Sequence, residues 1–125
     1  RGQIIYIEQD PGFGRFDQRP ENLIYTIPRR DVTVLGGTAQ RGDWHGEVRE
    51  SDTVEILEKC SVLWPELDRS KIVGKAVGLR PSRSEVRLEV DRSDGRMVIH
   101  NYGHGGAGVT LSWGCADEVV DLVSR

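Results

Sequence analysis

The stretch VIHNYGHGGAGVTLSWGCA (residues 98–116) sets two imidazoles, His100 and His104, four residues apart in a segment that holds five glycines. Three chemistries compete for such a segment: a metal site, a phosphate loop, or a place where the backbone closes on a flat ligand. A metal needs three or four converging ligands. Here Asn101 and the glycines interrupt any helix between the two imidazoles, and His45 is distant in sequence. The pattern therefore speaks against metal and favours imidazoles that donate to the backbone or pack at a strand end. The glycines carry more information. Gly103, Gly105, Gly106 and Gly108 lie between a strand pattern and a helix pattern. Glycine allows positive φ and has no Cβ to hold a ligand off, and the N–H groups that open a helix suit an anionic or electron-rich group. GHGGAG is not the GxGxxG dinucleotide fingerprint, and no acidic residue follows about twenty residues on along a second strand. A tight turn with no ligand remains an open reading at this level.

Two further side chains could do chemistry. Arg80 stands in GLRPSRSEVRLE, where a strand pattern ends at Pro81 and where Arg83 and Arg87 follow closely. A buried guanidinium calls for a carboxylate or phosphate and can clamp either through two parallel hydrogen bonds; solvated surface arginines are the plain alternative. Tyr25 interrupts the apolar strand pattern LIYTIP and reads either as a half-buried aromatic or as a placed hydroxyl.

The elements that must position these residues can be traced along the chain. Residues 2–8 read as a strand, and residues 9–22 as a long connection rich in Pro, Gly, Asp and Asn. Residues 23–27 and 32–35 read as a hairpin turning at Arg29, Arg30 and Asp31. SDTVEILEKCSVLWPEL reads as a helix, with Asp52 as its cap, Glu55 reaching back, and Val54, Leu57, Cys60 or Ser61, and Trp64 on one face until Pro65 stops it. Strands ending near Pro81, over EVRLEV and from Met97 follow, and a helix is expected from about Ala107 to Val123. About six strands and two helices, joined mostly by short turns, predict an α+β fold with a mixed, largely antiparallel sheet.

Composition narrows the partners. The 125 residues include 17 Lys and Arg against 20 Asp and Glu, a net charge of −3 with no electrostatic case for nucleic acid. No apolar run approaches the roughly 20 residues of a membrane span. Two cysteines, far apart and outside any CxxC spacing, read as free thiols in a reducing compartment.

Three segments taken together, IYTIP…VTVLGGTAQRGDW, GLRPSRSEVRLE and VIHNYGHGGAGVTLSWGCA, resemble the C-terminal half of the D-amino-acid oxidases, FAD enzymes that include D-aspartate oxidase. They fall in that family's order, and the resemblance covers nearly the whole chain. It implies hydride transfer from the Cα of a D-amino acid to flavin, giving an imino acid that hydrolyses to a 2-oxo acid and ammonia, with O2 reduced to hydrogen peroxide. No side chain acts as a strong base there, so no catalytic residue is expected beyond those that orient the substrate. Carried over by motif, Arg80 and Tyr25 resemble the residues that bind the substrate carboxylate, and Gly105 or Gly106 the position whose carbonyl receives the amine. Gly105, Gly106, Ala107, Gly108, Val109 and Thr110 resemble the segment against the flavin ring, and Arg87 a flavin-side contact.

The resemblance also implies a division: residues 1–90 as substrate-binding portion and residues 91–125 as a strand and helix of the FAD-binding domain. The family's dinucleotide-binding βαβ unit has no counterpart here, so an N-terminal chain or fragment of the same enzyme is the expected partner, with a homo-oligomer as a further expectation. Two positions depart from mammalian members. Glu21 stands where a second, lid-borne tyrosine would be, and Ala107 replaces an aromatic after the Gly-Gly pair. The absence of a second obvious basic residue for the side-chain pocket predicts a neutral D-amino acid over D-aspartate. The ending DLVSR, which is not of the SKL type, predicts a cytoplasmic enzyme. The rival readings are a glycine- or sarcosine-type oxidase of the same superfamily and a non-catalytic interaction module.

Overall fold

A computed structural model describes residues 1–17, 19 and 22–124 and divides the chain into two compact units, Arg1–Leu79 and Arg80–Arg125. The first unit is built on a five-stranded sheet. The β-branched run Gly2–Ile7 forms β1, Arg15–Asp17 β2, Ile24–Pro28 β3, Thr33–Gly36 β4 and Ile72–Gly78 β5, in the order β2-β3-β4-β1-β5. Every pairing is antiparallel, which narrows the mixed sheet expected from sequence to an antiparallel one. The loop expected over residues 9–22 holds β2, too short for its pattern to register in sequence, paired to β3 as Arg15↔Thr26, Phe16↔Tyr25 and Asp17↔Ile24.

One helix, α1 (Glu50–Leu63), covers one face of this sheet. Ile5, Ile7 and Leu35 from the strands meet Ile56, Leu57, Cys60 and Trp64, all buried, with Leu67 and Ile72 packed against them. Burying each large apolar side chain stabilises the unit by roughly 1.5–3 kcal/mol. Of the expected helix face, Leu57, Cys60 and Trp64 are buried, whereas Val54 is 45% exposed and Thr53 and Ile56 point inward in its stead. The expected capping box is absent too. Arg49 is the N-cap and gives no side-chain acceptor, and Asp52 lies inside the first turn, buried and paired with Arg1. A buried guanidinium left without a carboxylate is costly, and that demand outweighs the cap. The helix ends as expected before Pro65, with the Trp64 N–H donating to Cys60 O.

The second unit is a hairpin and a helix. β6 (Ser82–Asp91) and β7 (Val98–His104) pair antiparallel through a turn in which Gly95 takes φ 77°. A 3-10 turn, Gly105–Ala107, leads into α2 (Gly108–Val123), within a residue of the predicted helix. The geometric division falls at Leu79/Arg80 because β6 pairs with β7, whereas the division expected after residue 90 concerned which ligand each part serves. No residue of α2 is buried, and Val109 and Trp113 are 91% and 84% exposed.

Candidate functional site

In the first unit, Tyr25 is placed by strand alternation. Successive strand residues point to opposite faces, and α1 occupies the face that carries Ile5, Ile7 and Leu35. Cross-strand partners share a face, so the registers Phe16↔Tyr25, Tyr25↔Gly36, Gly36↔Ile4 and Ile4↔Ala76 lay one row across all five strands on the other face. Tyr25 is half-buried in this row and Phe16 is exposed. The Tyr25 ring lies in a trough made by two glycines. A Cβ built on Gly36 would fall 2.1 Å from Tyr25 Cζ, and one on Gly37 3.0 Å from the hydroxyl oxygen. Beneath the row, the Cys60 Sγ lies 3.6 Å from Tyr25 O and 3.7 Å from Gly36 O, and burial pushes its thiol up to about 11.

In the second unit, GLRP and GHGGAG are brought together. The Gly105 N–H donates to Pro81 O at 2.9 Å, and Gly105 adopts φ 58°. A Cβ there would lie 2.6 Å from Ser82 Oγ, so glycine is required twice over, by conformation and by space. The Arg80 side chain runs over Gly106, whose built Cβ would sit 3.5 Å from Arg80 Cδ and 3.7 Å from Nε. Two of the residues singled out in sequence as substrate contacts are thus neighbours. Ala107, Gly108, Val109 and Thr110 follow as the opening of α2. Neither Ala107 at the head of α2 nor His104 at the head of the 3-10 turn caps with its side chain. The N–H groups that begin a helix lack intrahelical acceptors, and glycines without side chains precede them here. That combination fits a flat, electron-rich group laid against the turn.

Arg87 and Arg83 are turned to Tyr102. The Arg87 guanidinium donates to the Tyr102 hydroxyl at 2.9 Å and to Glu89 at 2.6 Å, and these bonds, the phenol's first, raise its pKa. The Arg83 guanidinium stands 5.4 Å from the Tyr102 ring centre, and its stem passes where a Cβ on Gly103 would be. The histidines pair with side chains: His104 Nε2 lies 3.4 Å from Cys115 Sγ, and His100 Nε2 3.7 Å from Asp91. Among the described residues no three His, Cys, Asp or Glu side chains gather as a metal site would need. Glu21, expected at the lid position, lies outside the described residues.

Sequence reasoning missed three features: Phe16 beside Tyr25, the Gly36–Gly37 trough, and Ser82 under Gly105. Only the two glycines left a signal, a doublet at a strand end where a side chain would otherwise stand.

The family described as FAD dependent oxidoreductase matches residues 1–122. Among curated proteins the chain is similar to a D-amino-acid oxidase of Rubrobacter xylanophilus, 46% identical over 98% of this chain and 38% of the relative. It is also similar to one of Dictyostelium discoideum, 44% identical over 100% of this chain and 37% of the relative. Its fold resembles that of a Bacillus cereus glycine oxidase, with a TM-score of 0.83 and 20% identity over 98% of this chain and 35% of that one. The chain spans about two fifths of the length of the curated relatives it matches.

Proposed function

The chain belongs to the FAD-dependent oxidoreductase family, and on that premise we propose that it is the substrate-binding part of a D-amino-acid oxidase. The observation that carries this reading is the meeting of Arg80 with the Gly105–Gly106 turn, held by the Gly105 N–H bond to Pro81 O. A guanidinium on a defined backbone turn can grip a carboxylate through two parallel hydrogen bonds. A carbonyl of Gly105 or Gly106 then accepts from the amine, so that the Cα between carboxylate and amine has one orientation. The motif resemblance gives the Tyr25 hydroxyl a further contact to that carboxylate. Catalysis here is placement, with no general base among these residues.

The residues that would lie against FAD are Gly105, Gly106, Ala107, Gly108, Val109 and Thr110, where the helix dipole favours the negative charge that gathers on reduction. The chemistry FAD would supply when bound is acceptance of hydride from the substrate Cα and delivery of the electrons to O2 as hydrogen peroxide; the imino acid so formed takes up water to give the 2-oxo acid and ammonia. The N-terminal chain or fragment expected as partner would supply the remaining cradle for FAD. The apolar, uncovered α2 supports that reading, since a helix carrying Val109, Trp113 and Val120 on its surface is suited to being covered.

The experiment is a peroxide assay on the FAD-loaded protein across D-amino acids, L-amino acids, glycine and N-methylglycine. Turnover of neutral D-amino acids supports the reading. Activity confined to glycine and N-methylglycine replaces it with the related amine oxidase, and a protein that takes up no flavin and makes no peroxide leaves a binding module.

A further inference from the structure

Arg1 is a fully enclosed charge in the first unit: its side chain is 0% exposed, and that of its partner Asp52 is 7%. Among the described residues the guanidinium donates to five acceptors. Two are side chains beyond β1, Asp52 and Gln40 (2.6 Å to the latter); two are backbone carbonyls, His45 O at 2.8 Å and Glu47 O at 2.7 Å; the fifth is Gln3 Oε1 at 3.1 Å. The second Asp52 oxygen accepts from Gln40 Nε2 at 2.9 Å. The Gln3 side chain ties both backbone groups of Arg49, and the Gln3 N–H donates to Thr38 Oγ1 at 2.9 Å. Residues 38–49 are thus a strap pinned along its length to β1 and to the first turn of α1.

The strap starts where the tyrosine trough ends. Gly37 is enclosed between the Tyr25 hydroxyl and Gln3 O, which a Cβ at that position would approach to 3.0 and 3.2 Å. Any displacement of residue 38 is passed to Gly37, and from Gly37 to the ring resting on it. A buried ion pair is a poor device for stability alone, because well-packed apolar residues of similar volume often serve as well, and its best-attested use is to specify one arrangement.

We propose that Arg1 and Asp52 are positioning residues for Tyr25: they lock the strap, the strap fixes the Gly36–Gly37 trough, and the trough sets the direction of the hydroxyl. The consequence for turnover rests on the substrate role given to Tyr25 above; the positioning does not.

The test is made in the FAD-loaded protein with Asp52→Asn, Tyr25→Phe and the double variant, with 13C-labelled tyrosine so that the Tyr25 resonance is assigned by its loss in Tyr25→Phe. Asp52→Asn is expected to move the Tyr25 resonance and to raise KM for the D-amino acid on the order of tenfold with kcat nearly unchanged, the mark of lost uniform binding. Added to Tyr25→Phe, the same change is expected to leave KM where Tyr25→Phe put it. A Tyr25 resonance that stays in place, or a KM effect that simply multiplies that of Tyr25→Phe, overturns the proposal. A resonance that moves while Tyr25→Phe leaves KM unaltered upholds the positioning and removes Tyr25 from the substrate. Should Asp52→Asn not fold, Arg1→Lys keeps the charge, loses the five-way fork and carries the same readouts.

Discussion

The two units solve the problem of holding their shape in different ways. Residues 1–79 bury an apolar layer between sheet and helix and a closed polar network at its edge. Among the described residues from 80 onward only Gly103 is buried, and the order comes from a hairpin ladder, a glycine turn with positive φ, and arginines laid on Tyr102. The lesson is that the part richest in backbone chemistry is the part least able to support itself. Backbone can approach a ligand closely only where side chains are missing, and missing side chains cannot build a core.

The comparison can be pressed with substitutions that separate chemistry from support. The largest effect is expected at Arg80. Losing two charge-assisted hydrogen bonds, at about 1.5–3 kcal/mol each, should lower kcat/KM for a D-amino acid by at least about a hundredfold in Arg80→Leu, with the thermal midpoint held. An unchanged kcat/KM would remove Arg80 from the substrate. Next, Ile56→Ala in the α1 layer should cost about 2–5 kcal/mol in urea unfolding. Val109→Ala in α2 should cost less than about 0.5 kcal/mol in the chain as described, and measurably more in the FAD-loaded protein if α2 is covered there. Equal costs for Val109→Ala in the two states would leave α2 a solvent-facing helix.

Two further effects probe the first unit from inside. Burial raises the Cys60 thiol from 9.0 to about 11, so between those values the unfolded chain has lost a proton that the folded chain retains. Stability is then level below pH 9 and falls as pH rises towards 11, by roughly 2–3 kcal/mol in all. In denaturant titrations the stability difference between the parent and Cys60→Ala should change with pH only in that window. The other has the opposite sign. Among the described residues, Thr26 Oγ1 is a buried polar atom without a hydrogen-bond partner. Thr26→Val should raise stability by about 1 kcal/mol, as a rise in the urea midpoint, because an unmet hydroxyl is exchanged for a methyl.

Local pattern makes some of this visible in the chain. The β-branched run of β1, the hairpin arms around Arg29 and Arg30, and the strand–glycine–helix order at 98–123 all follow from periodicity and turn residues, and the structure places each within a residue or two. The identity of Arg80, Tyr25 and Gly106 as residues of interest comes from motif resemblance, and the structure adds the adjacency of Arg80 and Gly106. What stays hidden is long-range. A three-residue strand has too few positions to show alternation, so Phe16 reads as loop. Asp52 reads as a cap because a capping pattern is local, while its partner Arg1 lies at the far end of the segment. At the start of α1 Thr53 faces inward in place of Val54 because Gln3 bonds to it, which no apolar periodicity foretells.

The close fit of Tyr25 over Gly36 also bears on how this sequence can vary. With 2.1 Å between ring and would-be Cβ, any side chain at position 36 obliges the Tyr25 ring to leave its place over the strand. The two positions therefore form one heritable unit. A lineage that enlarges residue 36 must move or shrink the aromatic at residue 25 as well.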